Sequence, residues 1–176
     1  MEMKNIVLIG FMGSGKSTVG QELASRLDLD FVDSDQLLVE KAGQQIPEIF
    51  AEYGEAHFRR LEKEVVAELA EEEGLVIATG GGVVLASDNV ERLRKQGSLV
   101  LLQAEPEVIL DRVKDSDRPL LDVADPLAEI KKLLSARESY YQAAADYVID
   151  TSQLEVEEVV EKIVAIVNEV DKGDLK

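Results

Sequence analysis

The sequence predicts an α/β fold of three layers, α/β/α, with helices over both faces of a central five-stranded parallel sheet. Its apolar runs are short and do not alternate with polar residues, the pattern of strands buried on both faces. Helical segments separate those runs, as crossover connections between parallel strands require. The glycine-rich stretch Gly10 to Ser17 (GFMGSGKS) joins the first run to the first such helix. At 176 residues the chain fits one domain spanning 1–176, large enough to bury a core without staples.

Asn5 to Ile9 (NIVLI) is the first strand, closed by Gly10. Val19, Leu23, Ala24 and Leu27 recur at helical spacing and predict a helix over Ser17 to Leu27. Asp30 to Val32 is a short strand whose end, Asp33-Ser34-Asp35, leads into a helix. Ile46 to Glu73 is charge-laced and helical, broken into two helices near Tyr53-Gly54. Leu75 to Ala78 (LVIA) is a buried strand stopped by Thr79 and three glycines, and Ser98 to Leu102 (SLVLL) is another. Pro106 to Val113 suits a helix with proline in its first turn. Ser116 to Pro126 has the prolines and aspartates of a loop. Leu127 to Ala145 is helical and Tyr147 to Ile149 is the last strand. Val156, Val159, Val160, Ile163, Val164 and Val167 then form one apolar stripe of a final helix, followed by a polar tail from Asp171. There is no internal repeat and no linker.

Hydrophobic residues make up 45% and charged residues 31%, a globular balance. The absence of cysteine excludes disulfides and thiolate metal sites. No stretch approaches the ~20 apolar residues of a membrane span, and the apolar run before Gly10 is short for a signal peptide, so a cytoplasmic protein is expected. A net charge of −17 argues against nucleic acid as a partner, since that binding draws on basic patches. Small anionic ligands would instead require arginines concentrated locally and a divalent cation.

The spacing Gly10-x-x-x-x-Gly15-Lys16-Ser17 satisfies the phosphate-binding P-loop pattern in its required strand-to-helix context. Glycines let successive amides over Gly13, Ser14, Gly15, Lys16, Ser17 and Thr18 point into one concavity at a helix N-terminus, where the dipole also favours negative charge. Lys16 can reach the β- and γ-phosphates, and the Ser17 hydroxyl can ligate Mg²⁺. A plain glycine turn would need neither side chain. Asp33 and Asp35 fall at a strand end, where open parallel sheets keep their ligand crevice. One carboxylate could hold Mg²⁺ or its water and the other accept a hydrogen bond from an attacking hydroxyl. The same Asp-Ser-Asp composition also makes turns and helix caps, and spacing leaves both roles open.

The wider set of segments resembles shikimate kinase along nearly the whole chain: GFMGSGKSTVG at 10–20, DSD at 33–35, GEAHFRRLE at 54–62, TGGGVV at 79–84, RPLL at 118–121, and Arg137-x-x-Tyr140 with Ala145-Asp146. The resemblance implies a P-loop kinase architecture of the nucleoside monophosphate kinase type, with a substrate-binding helical segment at about 34–62 and a lid at about 113–126. It implies transfer of the γ-phosphoryl group of ATP, with Mg²⁺, to the 3-hydroxyl of shikimate, on the route to chorismate and the aromatic amino acids. Lys16, Asp35 and Arg118 would be catalytic: Asp35 the base, Arg118 a lid cation closing over the phosphates. Asp33 would serve the Mg²⁺ side with Ser17, since Thr79 stands where other P-loop enzymes carry a metal-binding acid.

By the same resemblance Arg59 and Arg137 grip the substrate carboxylate, a task suited to guanidinium forks. Gly80, Gly81 and Gly82 form a side-chain-free wall beside it, and Phe50 and Phe58 pack near the ring. Glu62, one helical turn from Arg59, could hold that arginine in place. Arg112 would stack on adenine; Val156 stands where the family often has a proline against the base. His57, the only histidine, fits no motif position and reads as a surface residue. Shikimate is the expected partner, with no nucleic acid and no membrane, and the chain is expected to act as a monomer. The alternatives are a gluconate kinase of the same architecture, a GTPase, which would carry an Asn-Lys-x-Asp motif absent here, and a catalytically silent nucleotide-binding module.

Overall fold

A computed structural model describes residues 4–116 and 122–173, with side chains through 169. Five strands form one parallel sheet: β1 (Asn5–Ile9), β2 (Asp30–Asp33), β3 (Leu75–Ala78), β4 (Gly97–Gln103) and β5 (Tyr147–Asp150), in spatial order β2-β3-β1-β4-β5. The central strand β1 is flanked on both sides, Val7 standing in register with Ile77 and with Leu99. Every residue of β1 and β3 is buried, which accounts for their unbroken apolar sequences. β2 is the exception: it lies at the sheet edge and is only half-buried, so it reads weakly in sequence.

The helices are α1 (Lys16–Leu27), α2 (Ser34–Ala42), α3 (Ile46–Tyr53), α4 (Glu55–Leu69), α5 (Ser87–Gln96), α6 (Pro106–Val113), α7 (Pro126–Ala144) and α8 (Val156–Gly173), with a short 3-10 turn at Val83–Leu85. Successive strand residues point to opposite faces. Ile6 and Leu8 meet Val19 and Leu23 of α1 and Val159, Val160 and Ile163 of α8; Val7 and Ile9 join the second core, beneath α2 to α7. The apolar stripe expected of the last helix thus covers one face, and α8 continues to Gly173, into the stretch expected to be tail.

One helix departs from the sequence expectations. Helix α5 has no counterpart in the periodicity, because its described core contacts reduce to a narrow stripe of Asn89, Val90 and Leu93 among charged residues. The substrate-binding segment expected to end near 62 has its boundary inside α4, which runs on to Leu69. The expected lid begins at the last residue of α6 and ends at the first of α7; residues 117–121 lie outside the described residues. The chain visits β2 and β3 on one side of β1 and then crosses to β4 and β5 on the other. The reversal puts the topological switch point, and so the ligand crevice, at the carboxyl end of β1.

Candidate active site

At that point the chain turns from β1 into α1 through residues 10–15. Gly13 has φ 73° and Gly15 φ 97°, left-handed values that side-chain-bearing residues rarely adopt. A Cβ on Gly13 would also stand 2.6 Å from Val113 Cγ1 of α6. The cap of α1 has no side-chain hydrogen bond, so its first amides remain oriented along the helix axis toward the crevice. Lys16 is buried and its Nζ donates to the Gly10 and Phe11 carbonyls at 2.6 and 2.9 Å. Ser17 and Thr18 are exposed at the mouth.

Asp33 ends β2, and its two carboxylate oxygens have different partners. Its Oδ1 caps α2, accepting from the Asp35 and Gln36 amides at 3.0 and 3.2 Å, while Oδ2 accepts from Ser17 Oγ at 2.7 Å. A carboxylate and a hydroxyl side by side are hard oxygen donors suited to Mg²⁺. No group of three or more histidine, cysteine or acidic side chains is arranged to hold a metal among the described residues. That fits Mg²⁺, which keeps waters and takes further ligands from phosphates. Asp35 lies in the first turn of α2, facing the same crevice.

None of the three glycines after β3 has a positive φ, and Gly80 and Gly82 serve for space rather than for an unusual backbone. A Cβ on Gly80 would stand 2.6 Å from Asp35 Oδ1; one on Gly82, 2.5 Å from Arg59 Nη2; one on Gly81, 3.7 Å from Arg137 Nη1. The turn is thereby the common neighbour of all three side chains, which come from α2, α4 and α7. The Gly80 amide is anchored by Ser34 Oγ at 3.2 Å.

Arg59 Nη1 donates to both carboxylate oxygens of Glu62, at 3.0 and 3.2 Å, and its Nη2 lies 3.4 Å from Glu55. Glu62 is 3% exposed. Burial pushes its pKa up, the adjacent Arg59 pulls it back, and Asp35 adds to the rise. The Arg59 guanidinium also lies over the Phe58 ring at 5.2 Å, and Arg137 over Phe11 at 5.9 Å. Phe58 is buried and stacks on Phe50 at 4.7 Å, so Phe58 supports Arg59 from beneath while Phe50 is partly exposed. His57 is half-buried against Tyr53 and pairs with Arg60.

A crevice of about 1170 Å³ runs from residues 12–19 past Asp33, Asp35 and Gly81 to Arg112, Thr151, Leu154, Glu155 and Val156. It unites the phosphate loop, the metal-side pair, Asp35 and the expected adenine end. Arg59, Arg137, Phe50 and Phe58 do not line it; they stand across the glycine turn. Arg112 is fixed at the far end of the crevice: its guanidinium donates to Thr151 Oγ1 at 3.0 Å, the Thr151 carbonyl at 2.9 Å and the Gly13 carbonyl at 3.3 Å. These bonds lie in the guanidinium plane and leave a face for stacking. Arg118 lies outside the described residues.

Sequence inspection missed Thr151, which is buried after β5 and ties Arg112 to β4 through its amide on the Gln103 carbonyl at 2.8 Å. It also missed Tyr141, whose hydroxyl donates to the Gly81 carbonyl at 2.6 Å. Neither belongs to a spacing pattern with a chemical meaning of its own. Tyr141, four residues after Arg137 and so on the same helix face, could have been flagged by that interval.

Comparison with known proteins gives one consistent answer. The family model described as shikimate kinase matches residues 12–168. A shikimate kinase of Caldanaerobacter subterraneus subsp. tengcongensis is 50% identical over 163 residues, covering 92% of this chain and 95% of that protein. One of Geobacter sulfurreducens is 50% identical over 167 residues, covering 94% and 92%. Among solved structures, shikimate kinase from Acinetobacter baumannii in complex with shikimate superposes with a TM-score of 0.90 at 39% identity, covering 95% of this chain and 94% of that one. A gluconokinase from Sinorhizobium meliloti shares the fold at a TM-score of 0.62 and 15% identity, covering 97% and 94%.

Proposed function

This chain belongs to the shikimate kinase family, and from that premise we propose that it transfers the γ-phosphoryl group of ATP to the 3-hydroxyl of shikimate, releasing ADP and shikimate 3-phosphate. The observation that carries the reading is the glycine turn at 80–82, which touches Asp35, Arg137 and Arg59 in succession beside a phosphate loop. A hydroxyl acceptor bearing a carboxylate matches that set: two guanidinium groups for the carboxylate, one carboxylate for the hydroxyl. The likeness to gluconokinase extends to the fold alone.

In the reaction the acceptor oxygen attacks the γ-phosphorus while the bond to the ADP oxygen breaks, and Asp35 takes the hydroxyl proton. The loop amides and Lys16, exchanging its bonds to the Gly10 and Phe11 carbonyls, hold the phosphates. Mg²⁺, when bound, neutralises charge on the β- and γ-phosphate oxygens, and Ser17 and Asp33 would be its protein ligands. Arg112 and Val156 would flank adenine. Arg118 would enter from the lid and exclude water. In this scheme the enzyme acts as a monomer. No helix among the described residues is long and apolar enough to cross a membrane. That and the net charge of −17 fit a cytoplasmic enzyme of small metabolites that does not bind nucleic acid.

The test is ADP release with ATP alone, with shikimate and with gluconate. Only shikimate should stimulate it, and failure to do so refutes the assignment. Asp35→Asn should lower kcat at least ~100-fold, the lower bound for loss of a general base, while nucleotide affinity measured by calorimetry stays near that of the parent chain.

A further inference from the structure

Of the three carbonyls in the glycine turn, two are occupied by the backbone that follows: the Val83 amide donates to Gly80 at 3.2 Å and the Leu85 amide to Gly82 at 3.1 Å. The Gly81 carbonyl instead receives a side chain, the Tyr141 hydroxyl, at 2.6 Å. Gly81 is also the glycine facing Arg137. Tyr141 is 4% exposed and stands one turn beyond Arg137 on α7. A phenol that donates its proton still has lone pairs to offer a guanidinium. Burial raises the pKa of this phenol, and Arg137, as a neighbouring charge and hydrogen-bond partner, opposes the rise.

We propose that Tyr141 is a positioning residue for the acceptor: its hydroxyl ties the Gly81 backbone to the helix that carries Arg137, so that turn and guanidinium meet the acceptor carboxylate as one preformed unit. The turn's other hydrogen bonds among the described residues include that of the Gly80 amide to Ser34 and those to its own continuation. Without the phenol, Gly81 and Arg137 would each have to be ordered when the acceptor binds, and affinity falls by the cost of that ordering. Gly81 also borders the phosphate loop, a Cβ there standing 3.6 Å from the Gly10 carbonyl oxygen and the Met12 nitrogen, so the ATP KM is the control that separates the two sides.

This inference rests on the assignment of shikimate as acceptor, and steady-state kinetics of Tyr141→Phe separate the two. Failure of the parent enzyme to use shikimate would refute that assignment and remove the premise of the inference. With an active parent, the shikimate KM of the variant should rise about tenfold, equivalent to ~1.4 kcal/mol, with ATP KM and the thermal midpoint little changed. The increase should largely vanish when Tyr141→Phe is made in an Arg137→Ala background, because the two act as a unit. An unchanged shikimate KM overturns the positioning role. So do equal rises in both KM values, or full additivity with Arg137→Ala, which would mark Tyr141 as merely structural. Tyr141→Met provides a second hydroxyl-free variant; if neither variant folds, the role is structural and the proposal falls.

Discussion

At the scale of the residue, the Arg59–Glu62 pair shows how a binding group is preset and what that arrangement costs. Glu62 is nearly dry, and its charge is tolerated because Arg59 lies on it. Removing Arg59 takes away the chief influence holding down the carboxyl pKa, which already lies above the ordinary 4.5. A group with a raised folded pKa stabilises below its unfolded pKa and loses that contribution as pH rises through the folded one. Arg59→Met should therefore destabilise the fold by ~3 kcal/mol at neutral pH, as broken buried pairs do. The deficit should shrink as pH falls from about 7.5 to about 5. Urea midpoints at both pH values check this, and adding Glu62→Gln should recover stability at neutral pH. A deficit independent of pH would show that Glu62 is not the group left stranded.

At the scale of the element, the glycine turn after β3 is where crowding decides function. Glycine runs are commonly taken as flexible, yet here the space beside Gly80 and Gly82 is already filled by Asp35 and Arg59. Gly82→Ala must displace the Arg59 guanidinium, so shikimate KM should increase at least ~10-fold, the loss of one charge-assisted bond, with little change in ATP KM. Gly80→Ala presses on Asp35 and should act mainly on kcat. If the effects of the two variants on KM and kcat were interchanged, the contacts assigned to the turn would be wrong. Strand β3 and the turn were legible in sequence because a fully buried strand leaves an apolar run with a sharp end. Helix α5 was not legible, since one narrow stripe suffices where only one side of a helix meets the sheet.

At the scale of the whole molecule, a net charge of −17 opposes compactness through self-repulsion. Raising NaCl from about 0.02 M to about 0.5 M shortens the screening length severalfold, and the thermal midpoint should rise; a flat or falling midpoint would mean that the surface charges are already locally balanced. The sequence by itself determined the parallel sheet, the phosphate loop and, through its matched motifs, the family, because burial on both faces and backbone cradling of phosphate are local demands that must be met within a few consecutive residues. Asp33 sits at the border: its spacing left a cap and a metal-side role open, and the structure shows Oδ1 capping α2 and Oδ2 accepting from Ser17 Oγ. Only the tertiary structure decided that Gly80 and Gly82 stand against Asp35 and Arg59, that Thr151 fixes Arg112, and that Tyr141 holds Gly81. The two hydrogen bonds join residues 39 and 60 positions apart in the chain, and the glycines meet side chains from α2 and α4. No periodicity along one segment records which distant carbonyl a buried hydroxyl will reach when strand order is reversed around β1.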